Sequence, residues 1–119
     1  MRTYKELTVW QKSFHLSLEV YRITKNFPKE EFYGLGSQMR RAAIAIPSNI
    51  AEGYCRQHRR EYIQFLTISF ASGGELETQL LIAKELKFLK ETEFQELNDL
   101  LSEVMRMLNV LIRRIKSRP

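Results

Sequence analysis

The apolar residues of this chain recur at helical spacing over most of its length, and this periodicity restricts its fold more than any other feature. The clearest apolar stripe consists of Leu97, Leu100, Leu101, Val104, Met107, Leu108, Leu111, Ile112 and Ile115. Residues three and four apart lie on one face of an α-helix. A second such pattern runs for about six turns from Tyr62 to Ala83. Because only three prolines and five glycines interrupt 119 residues, the sequence predicts an all-α fold.

Prolines and glycines punctuate the first half of the chain. We expect a first helix from a cap at Thr8 to about Asn26, where Phe27-Pro28 stops it because a residue before proline avoids the helical region. A second helix is expected to begin near residue 35 or 37 and to end at residue 52, with Gly53 as its left-handed stop. Pro47 lies inside this helix, so we expect a kink there.

The second half of the chain predicts two longer helices. The third begins near residue 58 or 59 and ends near Leu89. Its small residues at 71–74 indicate either a close helix crossing or a functional kink. The fourth follows a cap at Thr92, with Gln95 at the capping-box position. Because turns this short force sequence neighbours to run antiparallel, we expect one up-down-up-down four-helix bundle over residues 1–119, with a proline-kinked second helix.

The sequence contains no segment that we expect to cross a membrane and no pair of cysteines. No apolar run approaches the ~20 residues needed to span a bilayer, and the N-terminus is too polar for a signal peptide. We therefore expect a cytoplasmic protein with no membrane partner. Cys55 is the only cysteine, which excludes an intrachain disulfide and predicts a buried or half-buried structural thiol.

The first predicted helix has two apolar faces. One face consists of Trp10, Phe14, Leu18 and Tyr21. The nearly opposite face consists of Val9, Leu16, Val20, Ile23 and Phe27. A four-helix bundle buries one such stripe per helix, so the second lies under the chain termini or against another subunit. We favour another subunit and take Val9, Leu16, Val20 and Ile23 as the candidate oligomer interface.

Motifs for catalysis, metals or cofactors are missing from the sequence. Di-iron bundles need paired Glu-x-x-His motifs, and none occurs. His15 and Glu19 are four residues apart and form either an ordinary helical pair or two metal ligands, of which we favour the ordinary pair. There is no glycine-rich phosphate loop and no nucleophile elbow. The sequence therefore predicts a non-enzymatic protein with no catalytic residues, no cofactor and no metal.

Basic residues are segregated along the chain. Residues 1–60 carry 11 Lys/Arg against 5 Asp/Glu, residues 61–105 carry 3 against 9, and the last 14 residues carry 5 against none. The candidate nucleic-acid-binding residues form three clusters: Arg40 and Arg41, then Arg56, Arg59 and Arg60, then Arg113, Arg114 and Lys116. They are either solvated charges or a surface for nucleic acid or an acidic partner. We expect the second and third clusters to lie at opposite ends of the bundle, where only an oligomer would pool them.

One segment is too unusual for a generic helix. The sequence IPSNIAEG at 46–53 follows QMRRAA at 38–43, and companion pieces are VWQK at 9–12, FPKEE at 27–31, YGL at 33–35, EY at 61–62 with FL at 65–66, and ELETQL at 75–80. The chain thereby resembles the four-helix-bundle proteins encoded in intervening sequences of 23S ribosomal RNA genes, also labelled S23 ribosomal proteins. The resemblance implies a ring-like homopentamer. It also implies kinship with the accessory protein of diversity-generating retroelements, which binds a reverse transcriptase and nucleic acid.

The residues of this motif predict structural roles. Pro47 bends the helix, Ser48 or Asn49 satisfies the backbone carbonyl that the proline frees, and Gly53 ends the helix. Glu52 is expected to pair with Arg56 one turn later rather than to act as a catalytic acid. The leading hypothesis is an oligomeric adaptor whose basic surface contacts RNA, DNA or a nucleic-acid enzyme. The alternative is a structural or regulatory protein-binding bundle without nucleic-acid affinity.

Overall fold

Four long helices account for most of the computed structural model, which describes residues 2–119. They are α1 (Thr8–Thr24), α2 (Leu35–Cys55), α3 (Arg59–Glu85) and α4 (Glu91–Lys116), with short 3-10 turns at Tyr4–Glu6 and Lys29–Glu31. Each helix packs on two neighbours, in the cyclic order α1, α2, α3, α4, and within the described residues no Cα atoms of a diagonal pair approach within 8 Å. The molecule is elongated, at 49 × 21 × 20 Å. The predicted all-α four-helix bundle is confirmed.

The core is built from one apolar stripe of each helix, and α1 contributes the stripe that we had expected at a subunit interface. Val9, Leu16, Val20 and Ile23 are at most 4% exposed within their own chain. Their assignment to an oligomer interface is therefore wrong. The physical reason is that α2 and α4 both close over this side of α1, leaving the aromatic side outward.

Neighbouring helices compensate for the proline inside α2. The helix continues through Pro47, which has no N–H to donate to the carbonyl of Ala43. The Ser17 hydroxyl of α1 lies 3.0 Å from that carbonyl and 3.0 Å from the Ser13 carbonyl of its own helix, so it shares its one proton between them. The expected compensation by Ser48 or Asn49 is wrong, because Asn49 instead donates to the Ala45 carbonyl at 2.7 Å. The proline is thus accommodated by a contact between helices.

The two glycines at helix contacts act by being small. Gly53 is buried inside α2 and has no positive φ, so the predicted left-handed stop is wrong. A Cβ at Gly53 would lie 2.7 Å from the Phe65 Cβ of α3. At Gly73 of α3, a Cβ would overlap the sulfur of Met105 of α4. The close crossing expected in the middle of α3 is confirmed at Gly73.

Several helix ends differ from the predicted ones. α1 begins at Thr8 itself, with Leu7 as the N-cap residue. Gln57 and Lys87, with φ of 53° and 62°, follow the ends of α2 and α3. α4 begins at Glu91, where the carboxylate of Glu93 accepts the Lys90 N–H at 2.8 Å. The predicted caps at Thr8 and Thr92 are therefore wrong.

Cys55 ends α2 and is exposed. The expectation of a buried or half-buried thiol is therefore wrong.

Candidate nucleic-acid interface

One end of the bundle collects most of the arginines. Because α2 and α4 run in the same direction, the end of α2, the start of α3 and the end of α4 meet there, together with the segment before α1. We call residues 2–7, 52–61 and 113–118 the arginine end. The Arg59 guanidinium donates to the Lys116 carbonyl at 2.9 Å and ties the α2–α3 turn to the end of α4. The expectation that these two clusters lie at opposite ends is wrong.

The net charge of the protein resides at this end. The arginine end carries nine Lys/Arg and three Asp/Glu, whereas the remaining sequence carries ten and eleven. The formal net charge of +5 is therefore the sum of a strongly positive end and a nearly neutral body. Such concentration raises the local potential more than the total charge suggests.

Every basic side chain at the arginine end except Arg56 is exposed and has no carboxylate partner within residues 2–119. Four of them are Arg59 and Arg60 at the start of α3 and Arg113 and Lys116 near the end of α4. Lys116 shares a shallow depression with His58, Arg59 and Arg60. Arg113 precedes Lys116 by three residues and so lies on the same side of α4. These four cations are available to an external anion.

Arg56 is engaged within the chain. Its guanidinium lies 3.0 Å from a Glu52 carboxylate oxygen and 3.3 Å from Glu61. It also lies 5.1 Å from the Phe65 ring centroid. The predicted ion pair with Glu52 is confirmed. Arg56 is therefore a structural residue of the α2–α3 turn rather than a free cation.

Arg40 and Arg41 lie away from the arginine end, whereas Arg114 lies at that end but on a different side of α4 from Arg113 and Lys116. Arg40 donates to the Thr24 hydroxyl at 3.0 Å and to the Phe32 carbonyl at 2.7 Å. It therefore ties α1 to α2 near the other end of the bundle. Arg41 is exposed between α2 and α3. Arg114 borders a depression between the start of α1 and α4.

Two tyrosines lie close to the basic residues, since Tyr54 belongs to the arginine end and Tyr62 follows it directly in sequence. The rings of Tyr54 and Tyr62 meet edge to face, with centroids 5.9 Å apart. Burial raises the pKa of the Tyr62 hydroxyl and the neighbouring Tyr54 raises it further, whereas Arg118 lowers it. Tyr62 therefore remains a neutral hydrogen-bonding group. The sequence places Tyr62 in the apolar pattern of the third helix and in the family resemblance, but not beside the basic residues.

An apolar surface runs along the outside of α1. We call Trp10, Phe14, Leu18 and Tyr21 of α1, with Ile44 of α2, the aromatic face. Phe14, Leu18 and Tyr21 are 47%, 54% and 41% exposed. Trp10 and Phe14 stack with centroids 5.1 Å apart, which holds the rings against the surface of the bundle. This is the apolar stripe of α1 that its own chain leaves uncovered.

The structure also bears on metals and membranes. Among residues 2–119, no three His, Cys, Asp or Glu side chains are grouped closely enough to hold a metal ion. Over the same residues, no helix combines the length and apolarity that crossing a bilayer requires.

The sequence matches the family model of the 23S rRNA-intervening sequence protein over residues 5–110. No curated protein sequence matches it. The bundle is similar to the crystal structure, at 1.70 Å resolution, of a protein with unknown function from the S23 ribosomal protein family of Bacteroides thetaiotaomicron VPI-5482. The two structures superpose with a TM-score of 0.82 and 22% sequence identity, over 88% of this chain and 95% of the other. At this identity the likeness establishes the shared fold.

Proposed function

The chain belongs to the family of 23S rRNA-intervening sequence proteins, and from this premise we propose that it is a non-enzymatic, homo-oligomeric scaffold whose arginine end binds nucleic acid. The observation that carries the proposal is the convergence of Arg59, Arg60, Arg113 and Lys116 on one end of the bundle without carboxylate partners among residues 2–119. The phosphate backbone of a nucleic acid is the kind of ligand that such a surface favours.

The unpaired state of these cations supports binding over a structural role. Elsewhere some basic side chains meet carboxylates, as Lys12 does 3.1 Å from Glu103 and Arg22 does 2.6 Å from Glu19. Others, such as Arg41, do not, so the arginine end is distinguished by the number of unpaired cations gathered in one place. Arginine presents several donors in a planar fork that matches phosphate oxygens. A site of this kind contacts the backbone rather than base edges, so we expect little sequence preference.

The aromatic face supports self-association. Large aromatic and aliphatic side chains exposed together along one helix are typical of protein–protein contacts. Each added copy contributes another arginine end. Several weak phosphate contacts then act together, which raises the apparent affinity without any new contact. A pentamer and a reverse transcriptase partner remain predictions of the family resemblance.

Charge reversal at the arginine end tests the proposal. We expect Arg59→Glu with Arg113→Glu to weaken binding of a fluorescent single-stranded RNA. The slope of log affinity against log salt concentration should fall by about two, because each lost phosphate contact removes about one unit. Fluorescence anisotropy across a salt series measures both quantities.

The matched control carries the same charge change on the other end of the bundle. Lys29→Glu with Lys87→Glu alters exposed lysines and lowers the net charge equally. We expect the affinity of this control to fall less and its salt slope to change little. Equal losses in both variants, or no salt-sensitive binding by the unmodified protein, would show that the arginine end is not a nucleic-acid site and would favour a purely protein-binding bundle.

A further inference from the structure

The contact between α1 and α4 is charged along most of its length. Lys12 of α1 lies 3.1 Å from Glu103 of α4, and Arg22 of α1 lies 3.3 Å from Glu96. Residues 91–105 of α4 contain five Asp/Glu and no Lys/Arg. In this part of the bundle, α1 therefore supplies the cations and α4 supplies the anions.

The charge of α4 changes sign where α1 begins. Residues 106–116 contain four Lys/Arg and no Asp/Glu. Because Lys12 meets Glu103, Thr8 lies one turn earlier in α1 and is level with Met107, one turn later in α4. α1 begins there, whereas α4 continues for about two and a half further turns. Most of the basic part of α4 therefore has no part of α1 beside it.

The N-terminal segment does not fill the space that α1 leaves. Its turn at residues 4–6 packs on α1 and α2, and within residues 2–119 none of its Cα atoms lies within 8 Å of an α4 Cα atom. A groove of about 510 Å³ remains between the start of α1 and α4. Its apolar lining consists of the buried Leu7 and Val9, the half-buried Met107 and Leu111, and Val110, which is 39% exposed.

Two arginines border this groove. Arg106 and Arg114 are both exposed and have no carboxylate partner among residues 2–119. They are eight residues apart on α4, which separates them by about 12 Å along the helix axis, with Val110 between them. Glu6 also borders the groove, but its carboxylate accepts two backbone N–H groups of the N-terminal segment. The groove therefore combines an apolar lining with two cations that are available to a ligand.

We propose that this groove binds an acidic amphipathic helix of a partner protein. Apolar side chains three and four residues apart on such a helix pack against Met107 and Val110. Carboxylates about seven residues apart on the same helix meet Arg106 and Arg114. The bound helix takes the place beside α4 that α1 leaves empty, and the signs of charge are reversed relative to the α1–α4 contact.

The shape and charge of the groove favour a helix over other ligands. A nucleic acid would bring its charged backbone against an apolar lining that offers no hydrogen-bonding partner. A fatty acid carries one carboxylate and would leave one of the two arginines without an anion. An acidic helix satisfies both arginines and the apolar lining together.

This inference goes beyond the proposed function and stands without it. Arg113 and Arg114 are consecutive, so their side chains point in directions about 100° apart around α4. RNA bound beside Arg113 and a helix bound beside Arg114 therefore occupy different surfaces of the protein. The chain would then join a nucleic acid to an acidic protein.

A designed peptide tests the site. The probe is a fluorescein-labelled peptide of about four helical turns, with leucines on one face and glutamates on both sides of that face. Its matched control has the same composition, with the leucines spread around the helix. We expect fluorescence anisotropy to show about tenfold tighter binding of the probe, because only the probe presents an apolar face.

Two variants locate the bound peptide. Val110→Asn places an unsatisfied amide against the apolar face of the peptide, and Arg106→Glu replaces a cation with an anion. We expect each to weaken probe binding by about tenfold. Their matched controls are Ile82→Asn, on a similarly exposed part of α3, and Arg41→Glu, which alters another exposed and unpaired arginine. Both controls should bind the probe as the unmodified protein does, and circular dichroism checks that every variant is helical.

The outcomes separate this site from the arginine end. Val110→Asn should bind RNA as the unmodified protein does, and a loss of RNA binding would place RNA in the groove and overturn the proposal. Equal losses of probe binding in Arg106→Glu and Arg41→Glu would reduce the effect to net charge. A lower mass of Val110→Asn in light scattering would assign the groove to a contact between copies of the chain. No preference for the probe over its control, with RNA binding intact, would overturn this site and leave the proposed function standing.

Discussion

Single residues decide how closely the helices of this bundle approach. Gly53 and Gly73 lie where α3 meets α2 and α4, and each leaves no room for a Cβ beside its neighbour. Gly74 is adjacent in sequence but faces open space. All three positions carry the same residue, so residue type does not distinguish their roles. Those roles follow from the atoms that surround each glycine.

We predict opposite effects of alanine at two of these positions. Gly53→Ala places a Cβ 2.7 Å from the Phe65 Cβ, which cannot swing aside like the tip of a flexible side chain. We expect it to lower the free energy of unfolding by about 1–3 kcal/mol. Gly74→Ala should raise it by about 0.5–1 kcal/mol through helix propensity. Urea unfolding measures both, and equal changes in the two variants would contradict the packing described for Gly53.

Among the helices, α2 depends on hydrogen bonds that α1 and α3 donate to its backbone carbonyls. Ser17 of α1 satisfies the Ala43 carbonyl that Pro47 leaves free, and Ser69 of α3 donates to the Ile46 carbonyl at 3.0 Å. Both serines are buried. The helix containing the proline is therefore held from two sides, and its most irregular turn is fixed by tertiary contacts.

Removing the Ser17 hydroxyl tests this dependence. Ser17→Ala leaves a buried carbonyl unsatisfied, which costs about 1–3 kcal/mol. Thr67→Ser is a suitable control, since the Thr67 hydroxyl donates to Ile63 on an exposed part of α3 and serine keeps the donor. We expect a clearly lower melting temperature for the Ser17 variant alone; similar melting temperatures would exclude the proposed bracing of Pro47.

The α1–α4 contact contains two glutamates with opposite responses to pH. Hydrogen bonding to Arg22 lowers the pKa of Glu19, whereas sharing a hydrogen bond with Glu19 raises the pKa of Glu96. The contribution of Glu19 is therefore present above the ordinary glutamate pKa and is lost as pH falls through its lowered value. Glu96 contributes with the reverse sign, gaining stability as pH falls.

Replacing each glutamate in turn by glutamine separates the two contributions to stability. Glu19→Gln should lower stability near neutral pH, with a smaller loss toward about pH 4, because the charged form of Glu19 is the stabilising one. Glu96→Gln should leave neutral stability unchanged or slightly higher. Urea unfolding at the two pH values measures the difference, and a larger neutral-pH loss for Glu96→Gln than for Glu19→Gln would contradict the assignment.

The number, type and order of the helices could be predicted because each has a long apolar period. Their ends could not, since Lys87 and Gln57 adopt left-handed conformations without glycine. Neither could the partner of the Ala43 carbonyl, because Ser17 is 26 residues away in sequence. For α1, both faces are apolar enough to be buried, and only the positions of α2 and α4 decide that Val20 turns inward and Leu18 outward.

At the scale of the whole molecule, helix direction decides where the charges meet. The turn after α2 and the end of α4 share one end of the bundle, so Arg59 and Lys116 become neighbours across 57 residues of sequence. The antiparallel order already implies this meeting. Helical spacing predicts the ion pair of Arg56 with Glu52. It does not predict the hydrogen bonds of Arg40 to Thr24 and Phe32, which form only in the folded protein.

Sedimentation velocity of the unmodified protein with a labelled single-stranded RNA tests the central claim most directly. We predict a protein species at a multiple of 14.1 kDa that carries the RNA at low salt and releases it at high salt while remaining assembled. A protein that sediments as a single chain, with the RNA free at low salt, would contradict both the assembly and its basic surface.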